Sequence, residues 1–367
     1  MPRTRAHQPK QIVYLLGAGA TQAEVEYLGA RPVNLMMRDS ARLGEGVSTA
    51  VLQRAGPRWR PVPAGQDLDI EKLISLLGAS GVNRLVTVAE QMRRGYFDEI
   101  LRRLRRAGII ERPQLAKALF EMHKRAAFRR TVETLSGVIT TNHDGLLQVA
   151  SQQVFGQVAL GFPFLSDGFS PATAGSVPFV LQLHGSFTWR LAVPPRASPL
   201  HRGSRYSPDT LWIPPSILKE SKNYPFNKVL AMAYELLARR CDVLRVVGAS
   251  LTQNDWNILS LIFNAQRHKE LARGTAFKIE VIASQRGGER IAKESAYLKN
   301  ITPIGYLTEG SFADYKDYQE KDPPASSDLT NPFAYWLKEK IRYHRSRGEL
   351  GDAPLSETMA RVAGEAP

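Results

Sequence analysis

The chain has 367 residues, enough for one large or two moderate domains with a substantial core. Its 43% hydrophobic and 23% charged residues suit a water-soluble globular protein, and no apolar run reaches the roughly 18 residues that a membrane span needs. A formal charge of +14 favours polyanions or acidic protein surfaces as partners, and a single cysteine, Cys241, excludes an internal disulfide and any multi-cysteine zinc site.

Residues 1–10 carry basic side chains and no apolar signal core, so a disordered basic arm on a cytoplasmic chain is expected. The apolar run Gln11 to Leu16 reads as a strand. It is followed by the turn Gly17-Ala18-Gly19-Ala20-Thr21 and a helix over Gln22 to Leu28. From about Arg31 to Gly65 the sequence is rich in Gly and Pro and reads as irregular. Asp67 to Val132 has helical spacing. Its acidic start, Asp67-Leu68-Asp69-Ile70-Glu71, suits a helix N-terminus, and further helices are expected over Arg84–Met92, Tyr96–Ala107 and Pro113–Val132. This block is rich in arginine, from Arg93 to Arg130. It is either a solvated face or a surface for oligomerisation, a partner protein or nucleic acid.

Strand character returns at Leu135 to Ile139, with a helix over Gly145 to Val154. A Gly/Ser/Pro loop, Ser166 to Ser176, leads into the apolar run Val177 to Leu183. Pro194 to Pro208 reads as a flap-like loop. An amphipathic helix (Asn227–Arg240), a strand (Asp242–Val247), a helix (Asp255–Gln266) and a strand (Lys278–Ala283) follow. Asn331–Arg347 reads as a terminal helix, and roughly the last fifteen residues as disordered. Alternating strands and helices predict an α/β fold, a doubly wound, Rossmann-like parallel sheet with an inserted arginine-rich helical subdomain. The expected division is 11–66 with 133–320 for the sheet domain, 67–132 for the insertion and 321–367 for the terminal helix and tail.

Side chains at strand ends carry the candidate chemistry, because ligands of open α/β sheets bind there. The Gly17–Thr21 turn either lets a backbone approach a phosphate at a helix N-terminus, with Thr21 adding a hydroxyl, or is simply tight. Thr141-Asn142-His143-Asp144 follows the second strand. Asp144 is either a site residue or the cap of the next helix, whereas Asn142 offers a donor and an acceptor for orienting water or a carboxamide. His184, before Gly185, is either a satisfied loop histidine or a general base. Gly248-Ala249-Ser250 is another strand-end turn, with Ser250 a candidate for ribose or phosphate and Asp255 a candidate cap. Cys241, among apolar neighbours, reads as a core thiol.

In order and rough spacing these residues resemble the motifs of sirtuin-like proteins. Gly17-Ala18-Gly19-Ala20-Thr21 resembles their Gly-Ala-Gly-x-Ser loop, and Thr141-Asn142-His143-Asp144 their Thr-Gln-Asn-x-Asp run. Leu183-His184-Gly185 resembles the His-Gly of the catalytic base, and Gly248-Ala249-Ser250 the Gly-Thr-Ser turn. Four zinc cysteines and a Pro-Asp-Phe-Arg run are missing, Arg38-Asp39 being only a loose substitute. Those departures resemble the sirtuin-like NAD-hydrolysing effectors of bacterial antiphage systems.

The resemblance implies NAD+ as substrate, no zinc, glycohydrolase activity and a homo-oligomer. It also implies a partner such as a HerA-type ATPase, a short Argonaute or another defence protein. Asn142, His184 and Asp144 would be catalytic, while Gly17, Ala18, Gly19, Thr21, Thr141, Gly248 and Ser250 would bind the dinucleotide. A non-catalytic NAD or ADP-ribose module and an NAD-dependent deacylase are the competing readings.

Overall fold

The computed structural model describes residues 8–28, 70–173, 175–213, 222–249, 251, 256–305 and 331–365. The expected irregular segment, Arg38-Asp39, Ser250 and Asp255 lie outside them.

Side chains of strand β1 (Lys10–Leu16) alternate between two cores, with Ile12, Tyr14 and Leu16 on one face and Val13 and Leu15 on the other. Burial on both faces explains why β1 reads as a continuous apolar run. Five more strands share its sheet: β2 (Glu133–Thr140), β4 (Phe179–Gln182), β8 (Val243–Val247), β9 (Lys278–Ala283) and β10 (Ile301–Gly305). All pair in parallel, in the order β10-β9-β8-β1-β2-β4. Numbered by appearance and read from β4, this is the doubly wound order 3-2-1-4-5-6, and it reverses direction between β1 and β8. The expected α/β class is what the structure has.

Helices α1 (Ala18–Tyr27), α4 (Leu115–Lys124), α6 (Leu146–Phe155), α10 (Pro332–Ser346) and α11 (Glu357–Ala363) contribute to the core on one face. The other face carries α7 (Phe226–Arg240), α8 (Trp256–Arg273) and Ile291 of α9 (Gln285–Glu294). Helix α2 (Ile70–Gly78) packs on α3 (Asn83–Ala107) through Leu73, Ile74, Leu77, Val88, Ala89 and Met92. The short α5 (Ala126–Thr131) leads into β2. A second sheet, ordered β3-β6-β5-β7, joins β3 (Leu165–Ser166), β5 (Gly185–Arg190), β6 (Arg196–Ala197) and β7 (Thr210–Trp212). Phe97 of α3 clamps this sheet, 4.3 Å from Phe187 and 5.8 Å from Trp212 between ring centroids. Each such aromatic pair adds about 0.5–1.5 kcal/mol beyond its buried area.

Several local expectations need correction. Helix α1 begins at Ala18, so Gly19 to Thr21 lie in its first turns rather than before it. The helices expected on either side of Gly95 are one, because buried Met92, Phe97, Ile100 and Leu101 hold the glycine in register. Helix α3 then stops at Gly108, at φ 71°, a left-handed conformation that glycine adopts without penalty. The expected flap contains β6. The expected disordered tail contains α11, where the Ser356 hydroxyl caps Met359 N–H and Met359 and Val362 are buried.

Beneath α10 lies a buried charge cluster. Arg245 of β8 gives both terminal nitrogens to Glu133 of β2 (2.8 and 2.6 Å) and its Nε to Glu280 of β9 (2.8 Å). Lys340 of α10 donates to Glu133 at 3.1 Å, and the Tyr14 hydroxyl links Arg245 to His123 (both 3.1 Å). Arg245 and Lys340 both face the Trp336 ring. Two cations balance two carboxylates, the condition under which buried charges persist. The neighbouring cations hold Glu133 well below the usual carboxylate range, against the opposing effect of its burial.

Candidate functional site

The strand ends on either side of the β1/β8 reversal touch. At Gly17 a Cβ would lie 2.6 Å from Ala249 Cα, and at Gly19 one would lie 2.7 Å from Gly248 Cα. At Gly248, φ is 61° and a Cβ would lie 2.2 Å from Ala20 N. These three glycines therefore let two turns meet backbone to backbone. The contact is sealed by Gly17 N–H to Val247 O and Gly19 N–H to Gly248 O, both 2.9 Å. Ala20 N–H is also committed, to Gly17 O. Ala18 N–H, at the positive end of α1, has no partner among the described residues.

The run after β2 folds back over this turn. Thr140 Oγ1 donates to Leu16 O (2.7 Å) and accepts from Asn142 N–H (3.0 Å), which fixes the start of the loop. Asn142 Nδ2 donates to both Gly17 O and Thr21 Oγ1 at 2.9 Å. Because that amide can only donate, the Thr21 hydroxyl must pass its own hydrogen onward, and it does so to Asp144 Oδ2 at 2.5 Å. Asp144 Oδ1 accepts Leu146 N–H at 3.0 Å, at the start of α6. Asp144 thus serves the helix start and the relay together. Burial pushes its carboxyl above the ordinary range, opposed by the Thr21 and Leu146 bonds.

The Thr21 hydroxyl, expected as a phosphate ligand, is spent inside the relay. Asn142 Oδ1 has no partner among the described residues and is the acceptor this arrangement leaves over.

A second layer steadies the loop. Gln182, the last residue of β4, donates to Asn142 O at 3.0 Å, and Gln148 of α6 donates to Gln182 Oε1. Both glutamines are buried, and sequence reasoning overlooked them because an isolated glutamine reads as surface. His184 follows directly beyond Leu183, with its ring centroid 6.0 Å from that of His143. Its backbone O takes Ile213 N–H at 2.7 Å, and the residue is 7% exposed. Gly185 opens β5 at φ 73°, where a Cβ would lie 2.3 Å from Leu211 O. His143 is held in the aromatic cluster, its ring 5.5 Å from Phe187 and 5.2 Å from Trp212.

The loop thus brings Gly17, Ala18, Thr21, Thr141, Asn142 and Asp144 together. Gly248 abuts them, and His184 ends the neighbouring strand connection. Cys241 stands apart in the core of the other face, where burial pushes its thiol up.

No protein-family model matches the chain, and no curated protein matches it. Among solved structures, one match is described as a mutant of Sir2 homologues in complex with 2'-O-acetyl ADP ribose. It is 15% identical, with a TM-score of 0.37, and the match covers 84% of this chain and 97% of that chain.

Proposed function

We propose that the chain hydrolyses the nicotinamide–ribose bond of NAD+, water adding to the ribose to give ADP-ribose, nicotinamide and a proton. The observation that carries this reading is the anchored Asn142. Both hydrogens of its carboxamide are tied to Gly17 O and Thr21, so its Oδ1 is a fixed acceptor at the doubly wound switch point. Such an acceptor suits a water or a ribose hydroxyl. The motif order that resembles sirtuin-like proteins supplies the identity of the ligand.

The leaving group is a cationic pyridinium that departs neutral and needs no acid. The developing oxocarbenium ion needs a positioned water and a restrained ribose. Asn142 Oδ1 accepts a hydrogen from one of these, and His184 takes a proton from the ribose hydroxyl or the water. Ala18 N–H and the N-terminus of α1 face the pyrophosphate. Gly248 and Thr141 shape the floor, and Asp144 with Thr21 keeps the Asn142 amide pointed inward. Ser250 completes the dinucleotide set proposed from the sequence. By the same resemblance, the activity would deplete NAD+ in antiphage defence, in a homo-oligomer associated with an ATPase, an Argonaute or another defence protein.

Incubating the pure chain with NAD+ and quantifying nicotinamide and ADP-ribose tests the proposal. Equal release of both products supports hydrolysis. Bound NAD+ recovered intact favours the non-catalytic module. Release that requires an acyl-lysine peptide favours deacylation.

A further inference from the structure

Helix α3 carries seven arginines against three acids, and four of those arginines are held in ion pairs with the acids. Arg93 pairs with Glu90, Arg94 with Asp98, and Arg102 and Arg103 with Glu99, while the Arg105 guanidinium is bound to Ser204 O. A second set of cations lines the amino-terminal edge of the main sheet, opposite the glycine turns. Lys10 opens β1, Lys278 opens β9, Arg240 ends α7 just before β8, Arg273 ends α8, and Arg129 and Arg130 end α5 just before β2. All six are exposed.

Backbone contacts fix them in one row. Lys10 N–H donates to Val132 O (3.2 Å), Ser136 Oγ to Arg240 O (3.0 Å), Thr134 Oγ1 to Arg129 O (2.9 Å), and Lys278 N–H to Asp242 O (3.0 Å). None of the six forms an ion pair within 4 Å among the described residues, although Arg273 donates to Arg239 O and Arg130 Nε to Ala126 O (both 3.2 Å), and Arg273 lies in the field of Asp242. The acids nearby hold cations outside the row, with Asp242 also within the field of Arg273. Glu235 holds Arg239, Asp242 holds Lys269, and Glu270 holds Lys299.

We propose that this edge is a docking surface for a nucleic-acid backbone. Strands β2, β1, β8 and β9 are neighbours, so the row spans about 14 Å at about 4.8 Å per strand. Over that length a duplex presents about eight phosphate charges on its two strands. Arginine, the commonest residue of the row, matches phosphate oxygens with paired donors. An acidic protein partner fits less well, because protein interfaces are built on apolar anchors, and in the last turn of α8 only Leu271 is an exposed large apolar side chain.

The test is fluorescence anisotropy of a labelled duplex of about 20 base pairs, with single-stranded DNA and RNA arms, over a salt series. The wild-type chain is compared with the triple variant Arg129→Ala, Arg240→Ala, Lys278→Ala and with a control triple, Arg94→Ala, Arg106→Ala, Arg112→Ala. Thermal melts of all three report folding. The edge variant should bind at least tenfold more weakly near 0.1 M salt, with its log–log salt slope reduced by about 2 to 3, while the control stays within about twofold of wild type. Failure of the wild type to bind any arm near 0.05 M salt would overturn the proposal. So would an edge variant that binds like wild type, or displacement of the duplex by polyglutamate at equal charge, which would assign the edge to acidic proteins.

Discussion

Thr21→Val isolates what the Thr21 hydroxyl does. The substitution keeps the side chain's shape and removes one donor and one acceptor. Asp144 loses a 2.5 Å charge-assisted bond, and Asn142 Nδ2 loses one of its two acceptors. A hydrogen bond to a buried charge contributes about 1.5–3 kcal/mol and a neutral one about 1 kcal/mol, so the relay predicts a loss of about 2.5–4 kcal/mol. Urea denaturation at neutral pH measures it, and Thr21→Ser, which restores the hydroxyl, should recover all but about 1 kcal/mol. A hydroxyl reserved for a phosphate would leave the ligand-free protein almost unchanged. Thr21→Val within about 0.5 kcal/mol of wild type would therefore refute the relay.

Other consequences are as specific. Gly248→Ala places a methyl 2.2 Å from Ala20 N at φ 61°. Left-handed strain of about 1–2 and overpacking of about 1–3 kcal/mol predict a total loss of about 2–5 kcal/mol, measured by denaturant midpoint. Glu133→Gln leaves Arg245 and Lys340 buried with one carboxylate fewer and should cost about 3–5 kcal/mol; a neutral effect would show that the cluster is not a coupled unit. Burial pushes His123 down to about 3 and His344 to about 4, so both are neutral in the fold and charge on unfolding below about 6.5. Unfolding then takes up protons, and these two imidazoles lower stability as pH drops from about 6.5 towards 4, by up to about 1.4 kcal/mol per unit each, partly offset by the raised carboxyls of Asp144 and Glu24. A pH dependence between about 6.5 and 4.5 that is unchanged in the double variant His123→Gln, His344→Gln would contradict their burial as neutral groups.

The legible parts of the sequence were those where local pattern and tertiary burial agree. β1 and β9 announce themselves as apolar runs because both faces of the sheet are covered. Asn331 followed by Pro332 marks the start of α10 by ordinary capping chemistry, with Asn331 Oδ1 accepting Ala334 N–H at 3.0 Å. Gly95 misled, because its cost of roughly 1 kcal/mol against alanine is outweighed by the buried residues around it. Strands of two residues, such as β3 and β6, carry no periodicity to read. Helix α9 contains Gly287 and Gly288, the second held under Pro303, which obscures its helical pattern.

In the site, the residue types were visible but not their obligations. Gly17 and Gly19 read as part of a phosphate turn and Gly248 as part of a separate ribose or phosphate turn; that the two turns meet backbone to backbone was not legible. Thr21 and Asp144 are far apart in sequence, and nothing local says that one spends its hydroxyl on the other. Glu133, Arg245 and Lys340 look like surface charges until strand order sets Glu133 beside Arg245 and α10 lays Lys340 over them.

Nicotinamide release from NAD+ by the purified wild-type chain, Asn142→Ala and His184→Ala bears most directly on the central claim. Removing the fixed acceptor or the base should each lower turnover by about 100-fold or more, with the variants still folded. Near-wild-type release by both variants would contradict the assignment of this strand-end site as the place where NAD+ is cleaved.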